Sequence, residues 1–429
     1  MKVQVPGVII AILMTIAPVS AQNNTDQYDF SQRWENITIE YKPVQFALFT
    51  PFSTGGNKGI ETRCHFSVNI LIGVTGQIKG FEIGGMFNVN KYGSIGVQIA
   101  GIANLAMQNN VHFKSNNVQF SGLANYTECG KSVQFSSGFN IGDIARFQVG
   151  GLCNIVFERG GAQIAGVFNY GDAPLQVSGI ANLSARAGVQ IAGIANVAAN
   201  VVFQNAAIIN YAHFRAACQI AGLVNVARKK SECQIAGLVN VTKKGRFQMG
   251  LINVRDTVDG VSLGLINIVK HGGMLEAGIE AGEFVHTALT FRSGVPRLYS
   301  TLFLGYNYVD NFWAFGSGPG TSFKLIGNLG LNLELTYAVL FDKNSSLFDI
   351  IAFWRNSLLQ FKPVFNYRIA KHFKIYTGPT FNMLVQVNDG GGWFVNPPIE
   401  VKIPYPMYNR TFRNSTLDMW IGVVGGVKF

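Results

Sequence analysis

Between Val97 and Leu105 the chain alternates: Val97, Ile99, Gly101, Ala103 and Leu105 share one face, and Gln98, Ala100, Ile102 and Asn104 the other. A period of two is strand spacing. The same phrase, Gln-apolar-small-Gly-apolar-x-Asn, returns along the chain. Its Asn falls at Asn88, Asn104, Asn125, Asn140, Asn154, Asn169, Asn182, Asn196, Asn210, Asn225, Asn240, Asn253 and Asn267. Successive steps run from 13 to 21 residues and are mostly 14 or 15. A short fixed period marks a repeat architecture in which each copy is one structural unit. Ser137 and Ala207 stand where the other copies have Gly, and the copies at Gln248 and Ser262 are one residue short before it.

Two all-β architectures satisfy this pattern. In the first, each copy crosses a bilayer as one strand of a transmembrane outer-membrane β-barrel built largely from repeats of about 14 residues. Nine extended residues span about 30 Å, enough to cross the apolar layer when tilted. The apolar face would meet lipid, and Gln98, Asn104, Gln163, Gln190, Asn196, Gln234 and Asn240 would line the lumen. The phrase is nearly palindromic about its Gly, so antiparallel neighbours would set Gln against Asn in amide belts. In the alternative, each copy is one coil of a parallel β-solenoid joined to a smaller C-terminal barrel, with Gly at the bend and Asn stacked on Asn. A meander alternates its turns between two sides and should repeat every two strands, which favours the solenoid. Irregular steps and barrel-type flanks favour the barrel, which is the first expectation. Cys218 and Cys233, each immediately before the Gln of adjacent copies, discriminate between the two. They would stack about 4.8 Å apart in a solenoid and lie more than about 20 Å apart in a barrel.

The repeats run from about residue 80 to 269, and a cleaner alternation follows in 270–429. From Phe323 to Phe341 every odd position is apolar or Gly, while Lys324, Asn328, Asn332, Glu334 and Thr336 hold even ones. Phe373 to Asn388 and Leu417 to Phe429 alternate likewise. Long strands, aromatics near strand ends such as Tyr306, Tyr337 and Tyr367, and a terminal Phe429 on the apolar face favour a membrane barrel over a sandwich. Phe429 is the candidate signal for the barrel assembly machinery. Segment 44–79 reads as initial barrel-type strands and 22–43 as a polar periplasmic lead-in. Residues 1–21 read as a signal peptide, with Lys2, an apolar run from Val8 to Ile16 and small residues before a cut after Ala21. The expected address is the bacterial outer membrane. The interruption 389–415 is a long non-alternating loop, and Trp393, Tyr405, Tyr408, Arg410 and Arg413 make it a candidate for recognition or constriction.

Only 13% of residues are charged and 48% are hydrophobic, yet no later apolar run is long enough for a membrane helix. The net charge of +11 includes basic turns at Arg228-Lys229-Lys230 and Lys243-Lys244. For an exported chain without an aromatic-basic nucleic-acid motif, this points to the bilayer and its anionic lipid head groups as partner, not to nucleic acid. Five cysteines without metal-like spacing form no disulfide framework. The six histidines hold no metal-ligand spacing, and no HExxH, Walker loop or GxGxxG is present. Glu276, Glu280 and Glu283 read as a loop face. No enzyme, catalytic residue, metal or cofactor is expected.

The repeat phrase, the opening VQFALFTPFSTGG and the barrel-like tail together resemble a family of bacterial surface-repeat outer-membrane proteins, over about Val44 to Phe429. The resemblance implies an envelope location and carries no catalytic residue or substrate. The function expected is non-enzymatic: a passive solute pore or structural surface scaffold, or else a surface-exposed solenoid for interaction or adhesion, anchored by a C-terminal barrel.

Overall fold

The computed structural model describes residues 39–107, 115–342, 356–387, 399, 401–403, 405–412 and 415–429. They form a parallel β-solenoid of about 13 turns followed by a closed barrel of eight antiparallel strands. This is the second of the two architectures. The repeats are coils, not barrel strands.

Each copy of the phrase makes one coil. Asn182 lies beside Asn196 and Asn196 beside Asn210, and Gln190 and Gln204 align in the same parallel ladders. Cys218 pairs in register with Cys233. The near-14 period was the decisive signal, because one coil per copy needs no alternation of turns. Segment 44–79, expected to supply barrel strands, forms the first coils instead. Its strands Glu40–Phe49 and Thr62–Thr75 pair in parallel, and the first of them begins inside the segment read as a lead-in. The expected signal peptide and residues 22–38 lie outside the described residues.

The Gly of the phrase makes the corner. At Gly193 a Cβ would come 2.1 Å from the carbonyl oxygen of Gly179 in the preceding coil. Side chains at this position would push coils apart, and the column holds nothing larger than Ala207 and Ser137.

The barrel strands are Met274–Gly282, Thr287–Val295, Leu298–Asn307, Phe312–Lys324, Leu329–Phe341, Asn356–Ala370, Phe373–Val387 and Ser415–Lys428. The first pairs with the last, Gly278 against Lys428, which closes the cylinder. Alternation holds as expected: Leu335 and Tyr337 are exposed outside, while Asn332, Glu334 and Thr336 are buried inside. The run Phe323–Phe341 is not one strand but the end of one and the whole of the next, with 325–328 as the turn.

Solenoid and barrel meet through the last coil. The Asn267 backbone N–H donates to Ser293 Oγ at 2.9 Å, its Nδ2 donates to Ser300 Oγ at 2.7 Å, and Ser300 Oγ donates to the Gly264 carbonyl. Ser293 and Ser300 sit one residue from Arg292 and Tyr299, whose side chains both reach Glu334 in the lumen. By strand alternation the two serines therefore point outward. The solenoid ends against the outer wall of the barrel.

Candidate functional site

The interior of the solenoid is built from amides. Gln98, Asn104, Gln163, Gln190, Asn196, Gln234 and Asn240 are all fully buried. They line no aqueous lumen; they fill the coil. Each Asn Nδ2 donates forward to the Oδ1 of the next coil's Asn: Asn104 to Asn125 at 3.0 Å, Asn182 to Asn196 at 2.9 Å, Asn196 to Asn210 at 3.0 Å and Asn240 to Asn253 at 2.9 Å. Each Gln Nε2 donates backward: Gln163 to Gln148 at 2.9 Å, Gln190 to Gln176 at 2.8 Å and Gln234 to Gln219 at 2.8 Å. The second amide proton goes to a carbonyl, as from Asn196 to Asn205 and from Gln163 to Tyr170. An amide donates and accepts at once, so it can be propagated along a stack without orphaned groups. The two ladders carry their side-chain dipoles in opposite directions, and the fields oppose each other. Between them small residues such as Ala198, Ala212 and Ala227 fill the remaining space.

The Gln ladder ends on a carboxylate. Glu82 is aligned with Gln98 and accepts its Nε2 at 2.9 Å. Asn69 and Asn90 also donate to Glu82, at 3.1 and 3.0 Å. Burial pushes its carboxyl up to about 7, against the pull of those three donors toward the anion. At the far end Arg255 is buried with only carbonyl acceptors, Gly260 at 2.8 Å being the nearest, and burial holds its guanidinium below the usual range. The string Gly260-Val261-Ser262-Leu263-Gly264 has the spacing of a hydrolase nucleophile turn. Ser262 instead lies on a strand and donates to Gln248 at 3.3 Å, as the last rung of the Gln ladder.

The barrel interior is also filled. Arg292 binds Glu334 bidentately, with Nε to Oε1 at 2.7 Å and Nη2 to Oε2 at 3.1 Å. Lys362 donates to Glu280 at 2.6 Å, Tyr299 to Glu334 at 2.8 Å and Tyr376 to Glu280 at 3.0 Å. Lys374 and Lys428 pair with Glu276. Glu276 and Glu280 are thus lumen residues, not the loop face expected. Their spacing of four on an alternating strand was the signal, and Glu283 next to them does lie beyond the strand end. Toward the opposite mouth Phe284, Phe303, Phe312, Leu358, Leu384 and Trp420 close the lumen with an apolar core. The cavity left between the two layers is about 20 Å³, room for about one water. The mouth beside the short turns opens into a vestibule of about 500 Å³ bordered by Lys324, Arg368, Lys371 and His372.

The long loop contributes to the seal through residues other than those singled out. Ile399, Val401 and Ile403 pack against the apolar core, and the Ile399 carbonyl accepts from Gln386 at 2.7 Å. Tyr405 is 91% exposed, and Tyr408 and Arg410 lie on the exposed hairpin strand Tyr408–Thr411, with Arg410 over the Phe412 ring. Trp393 and Arg413 lie outside the described residues. Phe429 is exposed at the barrel rim, its backbone bonded to Ala277. Among the described residues no cluster of His, Cys, Asp and Glu could hold a metal ion. No protein family, curated protein or solved structure matches the chain.

Proposed function

We propose that this is a non-enzymatic protein of the bacterial outer membrane, in which a small sealed barrel anchors a β-solenoid that serves as an interaction module. The observation that carries the reading is the contrast between the two faces of the barrel. Its outer face presents Leu289, Leu304, Phe315, Leu335, Phe361 and Ile421, all exposed, whereas its lumen is occupied by ion pairs and an apolar core. Apolar outward faces on a closed antiparallel cylinder fit a bilayer, and a filled lumen fits an anchor better than a solute pore. Envelope fractionation and gel migration before and after boiling test the anchor. The protein should fractionate with the outer membrane and show a heat-modifiable band; recovery as a soluble periplasmic protein would overturn the reading. In planar bilayers it should carry no steady conductance.

A further inference from the structure

The solenoid is polar inside and apolar outside. In each coil the residues flanking the inward Gln, the two corner residues and the residues flanking the inward Asn point outward. From Val97 to Ile268 none of these positions carries a charge. Ile99, Ile164, Ile191, Ile220, Leu223 and Leu238 are among those exposed. With coils about 4.8 Å apart, the apolar walls run for roughly 60 Å, far beyond the few-hundred-Å² patches that water-facing surfaces tolerate. Outward-facing charge is confined to the remaining corner. There Arg186, Asn200, Arg215, Lys230 and Lys244 form one aligned column, and Glu232 is shared among Arg215, Lys230 and Arg246.

The junction says where these walls lie. Leu289 and Ser293 are on the same outward face of one barrel strand, yet Leu289 is 61% exposed and Ser293 0%. Ser293 is covered by the last coil. The Asn ladder runs along the solenoid axis and ends on Ser300, on the outside of the barrel wall. The axis therefore meets the wall from the side and does not continue the barrel. The contact is near the end of the barrel that carries the turns 296–297, 325–328 and 371–372; the turns 283–286 and 308–311 are at the other end, with Phe341, Asn356, Val387 and Ser415, the strand ends between which the two longest stretches of sequence run. In bacterial outer-membrane barrels the short turns face the periplasm.

We propose that the solenoid lies along the membrane plane in the periplasmic leaflet, its apolar walls covered by acyl chains and its cationic corner at the level of anionic head groups. The proposal rests on the barrel being the membrane anchor. Three features name lipid as the occupant: the walls begin where the barrel's own apolar outer face is interrupted, the charged corner complements anionic lipid, and the backbone and amide ladders of the coil are bonded internally. Backbone N–H and C=O groups bond from coil to coil, and amide side chains bond within, which is what a lipid-facing structure requires. One end coil is sealed by Ser293 and Ser300.

The test uses the full chain in phosphatidylglycerol-containing vesicles, with its five cysteines replaced and a single spin label introduced. Labels go at Ile191→Cys and Leu238→Cys on the walls, Leu289→Cys on the barrel face and Lys244→Cys at the corner. Collision with oxygen, which concentrates in lipid, is compared with collision with a water-soluble nickel chelate. The wall sites should match Leu289, with oxygen favoured several-fold, and Lys244 should show the reverse. Nickel access at Ile191 and Leu238 while Leu289 remains in lipid would overturn the proposal and leave the anchor standing. Shielding of the wall sites from both reagents would mean that protein covers them, and would also overturn it. Nickel access at Leu289 would remove the anchor itself and the proposal with it. Should the cysteine-free chain misfold, native Cys153, Cys218 and Cys233 on the outward walls serve instead. In vesicles at alkaline pH, where the thiolate forms, they should resist a charged methanethiosulfonate and react with a membrane-permeant one; equal reaction with both would contradict the placement.

Discussion

Asn267 and Ser300 are joined by a 2.7 Å hydrogen bond that carries the asparagine ladder of the solenoid into the outer wall of the barrel. Ser300 also donates to the Gly264 carbonyl, and Ser293 accepts the Asn267 backbone N–H. Polar groups at the open end of the coil stack therefore find partners on a surface that elsewhere carries Leu289 and Leu304. Replacing both serines, Ser293→Val with Ser300→Val, leaves the Asn267 backbone N–H without its partner and reduces the Asn267 amide and the Gly264 carbonyl to the 3.2 Å bond between them. Each buried orphan costs about 1–3 kcal/mol. Hydrogen exchange should accelerate in residues 261–269 and leave the barrel strands unchanged.

Asn196 stands mid-ladder, donating to Asn210 Oδ1 and to the Asn205 carbonyl while accepting from Asn182. Asn196→Ala removes the donor from two buried acceptors. Thermal unfolding should show the chain less stable by about 2 kcal/mol or more. Val197→Ala, one residue along and facing outward, should cost much less, since it leaves the ladder intact.

Glu82 occupies a Gln position of the ladder with its carboxyl raised to about 7 by burial. Its folded-state value lies above the ordinary 4.5, so the folded form binds the proton more tightly than the unfolded one. Stability from this group is full below about 4.5 and declines as pH rises toward 7. Glu82→Gln continues the ladder without a charge. The variant should match the parent near pH 4 and exceed it near pH 8 by up to about 3 kcal/mol. Unfolding followed across that range checks both the sign and the window.

Arg292 and Glu334 form a fully buried bidentate pair in the barrel lumen. Arg292→Met strands the Glu334 carboxylate and should cost about 3–5 kcal/mol, whereas replacing both partners with apolar residues should recover most of the loss. The temperature at which the folded band disappears on a semi-native gel reports both.

Much of this was legible in the residues. The inward parity of Gln and Asn, the outward parity of Ile99 and Ile164, and the change of pattern near His271 all follow from a period of two. Alternation does not distinguish parallel from antiparallel pairing, because both put every second side chain on one face. For that reason Gln98 and Asn104 fit a barrel lumen as well as a solenoid core, and only the step of about 14 residues spoke for the coil. Glu276 and Glu280 were hidden for another reason: their partners Lys362, Lys374 and Lys428 lie 82 to 152 residues away, brought near only by barrel closure. The seal made by Ile399, Val401 and Ile403 carried no periodic signal at all. The sideways docking became visible only through Ser293 and Ser300, which read as unremarkable polar positions on alternating strands.

The most direct measurement of the coil architecture uses Cys218 and Cys233, which pair in register in adjacent coils. Burial, and then the neighbouring Cys233, push the Cys218 thiol up to about 11, so the reaction belongs at alkaline pH, with a short bifunctional thiol reagent and the folded monomer in detergent. Stacked coils place the two residues about 4.8 Å apart, and peptide mapping should recover an efficient Cys218–Cys233 crosslink within one chain. Intact free thiols after treatment, or crosslinks formed only between chains, would contradict the solenoid and return the repeats to an antiparallel arrangement.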